Sequence, residues 1–423
     1  MKRIFISIFI VMSVQLFASD ATIQIVKKIA KEKKIAVANS SNQSMDRSLN
    51  NKILKLIIGD LKVSSHFNVA TNYINRDYQS TGLVSELVQN GTELLLKCKI
   101  EKSAGSLNAS VKLVNVKNGE RVYEKFYSIS KAKRYPFLSH HIAIDLNEYL
   151  GMPSIEWMKR YVIFAKYVKS GSSNIVVSDY TLSFQRTIVS GGLNIFPKWA
   201  TNAQDSFYYT SYRSVKPTLY LVNLFSGKKT KIASSSGMMV CSDVSDDGSK
   251  LLLTMAPHDQ PDIYLYDLAS GQKKRLTSYS GIDVSGNFVD NDSGVVFISE
   301  RLGYPNIFHK NINGGKVDQM VYHGRNNSSC TTYGKYIVYS SRDKQSSFGK
   351  STFNLYLIST QTDLIRKLTT NGKNMFPRFS SDGESLLFIK HMGKRSALGV
   401  LRLNANRSFL FPLNVGKIQA IDW

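Results

Sequence analysis

Cysteine is scarce in this sequence, which has three cysteines among 423 residues, at positions 98, 241 and 330. An odd count in an exported protein argues against a framework of disulfides. Cys98 lies in an apolar segment, and Cys241 and Cys330 lie in two sequence repeats that are not neighbours. We therefore expect three reduced, buried cysteines that pack as small hydrophobic side chains.

Long hydrophobic runs are absent after residue 17. Lys2 and Arg3 precede an apolar run that ends at Phe17, and Ala18 follows as a small residue suited to cleavage. This order is typical of a secretory signal peptide, and the run is short for a membrane span; an uncleaved anchor is the alternative. We expect residues 1–18 to be removed, leaving an exported, soluble protein with no membrane insertion.

Acidic residues are few: 31 stand against 55 lysines and arginines, for a net charge of +24. Such a balance suggests nucleic-acid binding. However, the basic clusters lie in predicted hairpins, such as Lys228-Lys229, where lysines usually protect sheet edges. Because no recognition helix or stacking platform accompanies them, we expect acidic partners, peptidoglycan or lipid head groups rather than nucleic acid.

Catalytic motifs are also missing. No G-x-S-x-G elbow is present, and Gly349-Lys350-Ser351 lacks the leading glycine of a phosphate-binding loop. His140 and His141 are adjacent on a predicted helix and face different directions, so a surface or capping role is expected. Asp246-Asp247-Gly248 is interpreted as a turn. The sequence therefore predicts no enzyme, no cofactor and no metal site.

A repeated strand–turn–strand unit dominates the second part of the chain. The segment Pro261–Gly281 shows period-2 alternation around a Ser-Gly turn. Its aliphatic marker recurs every 43–48 residues, at Ile175, Leu219, Ile263, Ile307, Leu355 and Leu398. A strand-only repeat of about 40–45 residues is typical of propeller blades.

The end of the chain supplies a missing strand. The first repeat has no inner strand of its own, and Trp423 lies 44 residues after Phe379, where the next inner strand is due. We therefore predict a six-bladed β-propeller over residues 156–423 that is closed by the C-terminal strand, which hides a free sheet edge.

The residues before the propeller predict two further segments. Residues 35–155 alternate strand and helix patterns and form a small α/β domain. Residues 19–34 are expected to form a flexible tail. Within it, Asp20–Val26 alternates like a strand that could pair with another protein; a permanent first strand of the α/β domain is the alternative.

Several motifs resemble the TolB family, whose members are periplasmic components of the Tol–Pal envelope system. The stretches that carry the resemblance are Gly303–Phe308, Asn311–Gly315, Tyr264–Gly271, Phe196–Trp199, Ile35–Ala38 and Val111–Val116. The resemblance implies a non-enzymatic, monomeric periplasmic scaffold. It would link TolA of the inner membrane to Pal, the outer-membrane peptidoglycan-associated lipoprotein, and support outer-membrane integrity and constriction during cell division.

The resemblance also implies where the partners bind. A Pal-like lipoprotein would dock where the inner strands begin, at Met238, Met239, Val240, Cys241, Val284, Ser285, Asn327, Ser328, Asn374 and Met375. A TolA-like protein would bind the first mature residues, Ala21, Thr22, Ile23, Gln24, Ile25 and Val26. The family pattern has His at position 238 and Thr-Glu at 284–285, and this chain departs from it there.

A second class of function stays open at this point. A propeller channel can also serve a small-ligand sensor or a hydrolase-related protein. A sensor would need polar groups that converge in the channel.

Overall fold

The computed structural model describes residues 32–81, 85–343, 351–362 and 364–423. The predicted signal peptide and the predicted TolA-binding residues, Ala21–Val26, lie outside the described residues. Among the described residues, no helix combines the length and apolar character that a membrane span requires.

An α/β domain comes first. Its elements are β1 (Lys33–Asn39), α1 (Arg47–Ser64), β2 (Phe67–Val69), β3 (Ile74–Asn75), α2 (Ser85–Gln89), β4 (Leu94–Ser103), β5 (Ser106–Asn115), β6 (Arg121–Ile129) and α3 (Tyr135–Tyr149). The sheet order is β2-β1-β4-β5-β6, with β3 also on β1. β1 is parallel to β2, β3 and β4, whereas β4, β5 and β6 are antiparallel. β1 begins two residues before the expected domain boundary.

Two local features favour helix α1: a capping residue at its start and apolar residues at helical spacing along it. The Asp46 carboxylate accepts hydrogen bonds from the backbone N–H groups of Ser48 and Leu49, at 2.8 and 3.3 Å. This satisfies two donors that a helix start leaves unpaired. Ile53, Ile57 and Leu61 share one face and have no exposed surface, and each contributes about 1.5–3 kcal/mol by burial.

Successive four-stranded antiparallel sheets form the β-propeller that follows the short 3-10 helix Glu156–Lys159. One sheet contains β7 (Val162–Lys169), β8 (Ser172–Ser178), β9 (Gln185–Val189) and the last strand, β30 (Lys417–Asp422). The next contains β10 (Asn194–Trp199), β11 (Ser206–Ser211), β12 (Thr218–Asn223) and β13 (Lys229–Ser234). Another contains β14 (Met239–Val244), β15 (Lys250–Met255), β16 (Asp262–Asp267) and β17 (Lys273–Arg275).

The later repeats follow the same order. They contain β18 (Asp283–Val289), β19 (Gly294–Ser299), β20 (Asn306–Asn311) and β21 (Asp318–Gln319), then β22 (Arg325–Tyr333), β23 (Tyr336–Arg342), β24 (Phe353–Ser359) and β25 (Ile365–Lys367). The last are β26 (Lys373–Phe379), β27 (Ser385–Met392), β28 (Arg395–Arg402) and β29 (Arg407–Pro412). A single parallel bridge, Phe353 to Lys373, joins the last two groups.

The last strand pairs with the first strand of the propeller. β30 runs antiparallel to β7, with Lys417 opposite Tyr167 and Asp422 opposite Ile163. The indole of Trp423 packs edge-on against Trp157, with ring centroids 5.3 Å apart. The two ends of the propeller domain are therefore joined within one sheet.

A buried polar cluster joins the two domains. The imidazole of His140 on α3 lies between two carboxylates, with Nδ1 2.9 Å from Asp60 of α1 and Nε2 3.3 Å from Asp179 after β8. Tyr180 donates its hydroxyl to Asp60, and none of these four side chains is exposed. The expected surface or capping role for His140 is wrong, because its burial arises from a contact between domains.

Two opposing effects set the charge of His140. Burial lowers the pKa of the imidazole, but the carboxylates of Asp60 and Asp179 outweigh this and raise its pKa to about 9. The ring is therefore charged at neutral pH and donates from both nitrogens.

All three cysteines are free and buried, as the sequence predicts. Burial raises the pKa of Cys98 and of Cys330 to about 12, so neither thiol ionises at neutral pH.

We predict that the protein loses stability as the solution becomes alkaline. Because the folded-state pKa of His140 is about 9 and its ordinary value is about 6.5, the stabilisation is complete below pH ~6.5 and is lost as pH rises through 9. This difference in pKa between the folded and unfolded states corresponds to a loss of about 3 kcal/mol in the free energy of unfolding. Melting temperatures from pH 6 to 10 measure it, and His140→Gln should melt lower at pH 7 with a shallower decline. Parallel curves for the two proteins would contradict the prediction.

We also predict that the propeller depends on its last strand. Deleting residues 419–423 unpairs the edge of β7 and removes Trp423 from its packing against Trp157, a loss of roughly 3–5 kcal/mol for the tryptophan alone. The shortened protein should aggregate or melt much earlier. Val415→Ala, at a side chain that is 73% exposed just before β30, is the control and should change stability by less than about 0.5 kcal/mol. An unchanged melting curve for the deletion would contradict the prediction.

Candidate partner-binding mouth of the propeller channel

Bulges in the inner strands shape one end of the channel. The register of β10, β18 and β26 against the next strand shifts at Phe196, Ser285 and Phe376. These three residues have φ values of 52°, 56° and 53°, in the left-handed region. Such a conformation costs about 1–3 kcal/mol for a residue other than glycine and is concentrated at functional sites. A bulge also redirects the side chains beside it.

These bulges surround a cavity of about 330 Å³, which we call the apolar mouth. Most of its lining is hydrophobic: Phe196, Pro197, Met238, Val240, Ile282, Val284, Ile298, Pro305, Met375, Phe376, Ala420 and Ile421. Methionine side chains are flexible and polarisable, so they adapt to an irregular partner surface. Ile282 is 40% exposed, so part of this apolar surface meets solvent.

Seven of the ten residues expected to contact a Pal-like partner line this mouth. They are Met238, Val240, Cys241, Val284, Ser285, Ser328 and Met375. Met239 does not: it has no exposed surface and packs in a core with Tyr208 and Leu253. Met238 lies just before β14, whereas Met239 is the first residue of that strand and packs inside the sheet's core.

Asn327 and Asn374 are likewise structural rather than exposed at the mouth. The Asn374 amide donates to the backbone carbonyls of Phe353 and Asn371, at 3.1 and 2.8 Å. The Asn327 amide donates to the carbonyl of His323 at 2.9 Å. Both side chains are buried. Asn327 fastens the start of β22, and Asn374 the start of β26, to the loop residues just before each strand.

A group of charged side chains below the mouth was missed by the sequence analysis. The ammonium of Lys198 lies 2.9 Å from Asp243 and 3.2 Å from Asp422, and the guanidinium of Arg378 lies 3.4 Å from Asp422. The Asp422 carboxylate also accepts from the backbone N–H of Trp199 at 2.8 Å. Burial lowers the pKa of Lys198, but its two carboxylate partners raise it above the ordinary value.

These charges separate two cavities. Lys198, Asn287 and Arg378 line both the apolar mouth and a second cavity of about 590 Å³. The sequence contains a signal for them: Lys198, Arg378 and Asp422 each precede a large aromatic residue at the same position of the repeat.

Two cysteines, Cys241 and Cys330, line the apolar mouth. Burial raises the pKa of the Cys241 thiol, which lines the mouth, so no reactive thiolate forms there at neutral pH. In the described ranges, no group of three potential ligands is arranged to hold a metal ion. These features define the class: a two-domain protein in which an α/β domain precedes a β-propeller with an apolar channel mouth.

Comparison with known proteins identifies the family. Residues 21–122 match the TolB amino-terminal domain, and residues 159–423 match the TolB beta propeller domain. The Tol-Pal system protein TolB of Wolinella succinogenes is 49% identical over 410 residues, which cover 96% of this chain and 97% of that protein. The protein of the same name from Campylobacter jejuni strain RM1221 is 48% identical over 427 residues, covering 100% of both chains. The chain belongs to the TolB family.

A solved structure agrees with the fold. TolB from Acinetobacter baumannii superposes with a TM-score of 0.74 at 20% identity, covering 93% of this chain and 97% of that one. The predicted order of an α/β domain and a β-propeller is confirmed. Membership of the TolB family also confirms that the protein is not an enzyme.

Proposed function

We propose that this protein is a monomeric periplasmic scaffold of the Tol–Pal system. It would bind a Pal-like outer-membrane lipoprotein at the apolar mouth and a TolA-like inner-membrane protein through its N-terminal residues, and so support outer-membrane integrity and constriction at division. The names of the similar proteins support membership of the system. The observation that carries the docking site is the set of left-handed bulges around the apolar mouth.

The architecture we propose is a ring of six blades closed by β30. The spacing of the sequence repeats supports it, as does the pairing of β30 with β7. In a closed ring the inner strands converge on the axis, so their bulges can form a single docking surface.

Several properties of the mouth favour a protein partner. Its centre is apolar and its floor is the charged group around Lys198 and Asp422. Binding energy at protein interfaces is concentrated in a few central, well-desolvated side chains. Met238, just before β14, and Met375, on β26, both line the mouth and are the side chains we assign to that centre.

The N-terminal residues are assigned a separate role. We propose that residues 1–18 direct export to the periplasm and are removed, and that Ala21–Val26 then adds as a strand to a TolA-like protein. Main-chain hydrogen bonds would provide affinity and alternate side chains specificity. If the tail also packs on its own protein, a Pal-like ligand that changes the free energy of its release would couple the two sites.

We predict that a charge in the mouth weakens lipoprotein binding. Met238→Asp places a carboxylate at the centre of the proposed interface, where charged residues are disfavoured, and should raise the Kd at least about tenfold. Titration of the purified mature protein with its Pal-like lipoprotein measures this.

A matched variant controls for the introduced charge. Phe225 is 75% exposed in the loop between β12 and β13 and does not line the mouth, so Phe225→Asp should leave the Kd unchanged. Both variants should melt as the wild type does. Wild-type affinity in a folded Met238→Asp protein would place the interface elsewhere.

We predict that the N-terminal residues bind as a strand. Deleting residues 19–26 should abolish binding of a TolA-like protein, and amides 23–26 should exchange rapidly in the free protein and slowly in the complex. Charges at Ile23 and Ile25 should affect affinity differently from charges at Thr22 and Gln24, since the two pairs face opposite sides of a strand. Slow exchange in the free protein, with binding unaffected by the deletion, would support the permanent-strand alternative.

A further inference from the structure

The α/β domain contains a cavity of about 610 Å³ at the carboxyl end of β1. Its lining is Asn39, Ser40, Ser41, Asn42, Gln43, Met45, Arg47, Asn50, Asn51, Tyr73, Asn75, Arg76 and Asp77. All but Met45 carry polar side chains, and five of these residues are asparagines. The volume is in the range of small-molecule sites, about 300–1,000 Å³. We call it the asparagine cavity.

The topology of the sheet opens a crevice at this place. After β1 the chain passes through α1 to β2 on one side, and it later reaches β4 on the other side of β1. Both neighbours are parallel to β1. Connections therefore diverge at the carboxyl end of β1, the position where open α/β sheets bind their ligands.

Hydrogen bonds to the backbone determine how the floor of the cavity is oriented. The Asn39 Oδ1 accepts from the backbone N–H of Ser41 at 3.1 Å and from the Asn50 amide at 2.9 Å. The hydroxyl of Ser41 accepts from the backbone N–H of Ile100 at 2.9 Å and donates to Asn50 Oδ1 at 3.1 Å. The backbone N–H groups of Ser41 and Ile100 can only donate. Turning over the side-chain amide of Asn39 or Asn50 would therefore break a hydrogen bond.

This orientation uses amide oxygens internally and leaves amide donors; the carboxylate in the lining, Asp77, accepts from the backbone N–H of Gln79 at 2.8 Å. Asn39 Nδ2 donates to Asn75 Oδ1 at 3.0 Å, so the oxygens of Asn39, Asn50 and Asn75 each accept at least one hydrogen bond. The NH₂ group of Asn75 donates no hydrogen bond in the described part of the chain. Tyr73 donates to Asn51 in the same way. Amide oxygens are therefore used internally, while amide donors remain.

Two further observations indicate an anionic ligand. Arg47 and Arg76 line the asparagine cavity, and neither guanidinium forms an ion pair with any described residue. Ser40 is 8% exposed, and its buried hydroxyl has no hydrogen-bond partner among the described residues. The start of α1 contributes little, because Asp46 already accepts from its first N–H groups.

We infer that the asparagine cavity binds a small polar molecule that carries a phosphate or a carboxylate. Arginine guanidinium groups pair with either oxyanion through parallel N–H···O bonds. The amide donors would bind further oxygens of the same molecule. This inference is independent of the proposed partners, since the cavity belongs to the other domain.

Calorimetric titration of the mature protein with three sugars tests the inference. The probes are glucose 6-phosphate, glucuronate and uncharged glucose, with inorganic phosphate as a fourth arm and phosphatidylglycerol vesicles as a fifth. We expect at least one charged sugar to bind with a Kd below about 1 mM and glucose to bind at least about tenfold more weakly. Binding to vesicles but not to free sugars would assign the same site to a lipid head group.

Two substitutions connect binding to this cavity. Asn75→Asp keeps the oxygen that accepts from Asn39 and replaces the NH₂ donor by a charged acceptor, so it should weaken the charged sugar at least about tenfold. Arg76→Gln should weaken it to a similar extent. Arg395→Gln is the control and should bind as the wild type does, because this exposed arginine of β28 lies outside the α/β domain and forms no ion pair with any residue that the structure describes.

Three results would overturn the inference. They are equal affinity for glucose and the charged sugars, no binding of any probe up to about 10 mM, and wild-type affinity in a folded Asn75→Asp protein. Because Asn75 is exposed at the end of a two-residue strand, its variant should fold, and its melting temperature shows whether it does.

Discussion

The pairing of β30 with β7 is the interaction on which the rest of the propeller depends. It joins residues that are 250 or more positions apart into one sheet. It also places Asp422 where its carboxylate accepts from the backbone N–H of Trp199 and contacts Lys198 and Arg378. One carboxylate from the end of the chain therefore links three inner strands, and two of them, β10 and β26, have bulged residues that line the apolar mouth.

The contact between the two domains depends on a second polar group. His140 lies between Asp60 of its own domain and Asp179 of the propeller. Around it, Val63 and Ile144 pack with Trp157 and Leu413 in a shared core. A charged imidazole between two carboxylates has a directional preference that apolar packing lacks, so it fixes how one domain sits on the other. Glu32 pairs with Arg407 of β29 at 2.7 Å, so the chain enters the α/β domain beside the propeller.

The two cavities differ in the chemistry that they offer. The apolar mouth exposes methionine and aromatic side chains around bulged strands, which suits a protein surface. The asparagine cavity exposes guanidinium and amide donors, which suits a small oxyanion. They lie in different domains, and the His140 cluster lies on the boundary between those domains.

Local pattern by itself determined the elements and their order. Period-2 alternation and the recurring spacing of about 44 residues are short-range signals, and the strands of the propeller follow them closely. Seven of ten expected mouth residues could be placed because the starts of inner strands are recognisable in each repeat.

Only the tertiary structure decided what depends on contacts between distant residues. Met238, just before β14, lines the mouth, while Met239, the first residue of that strand, is buried in a core with Tyr208 and Leu253. Asn327 and Asn374 bridge backbone carbonyls, and His140 is buried by a second domain. A sequence shows the chemistry of such side chains but not their neighbours, which are determined by how separate segments pack against one another.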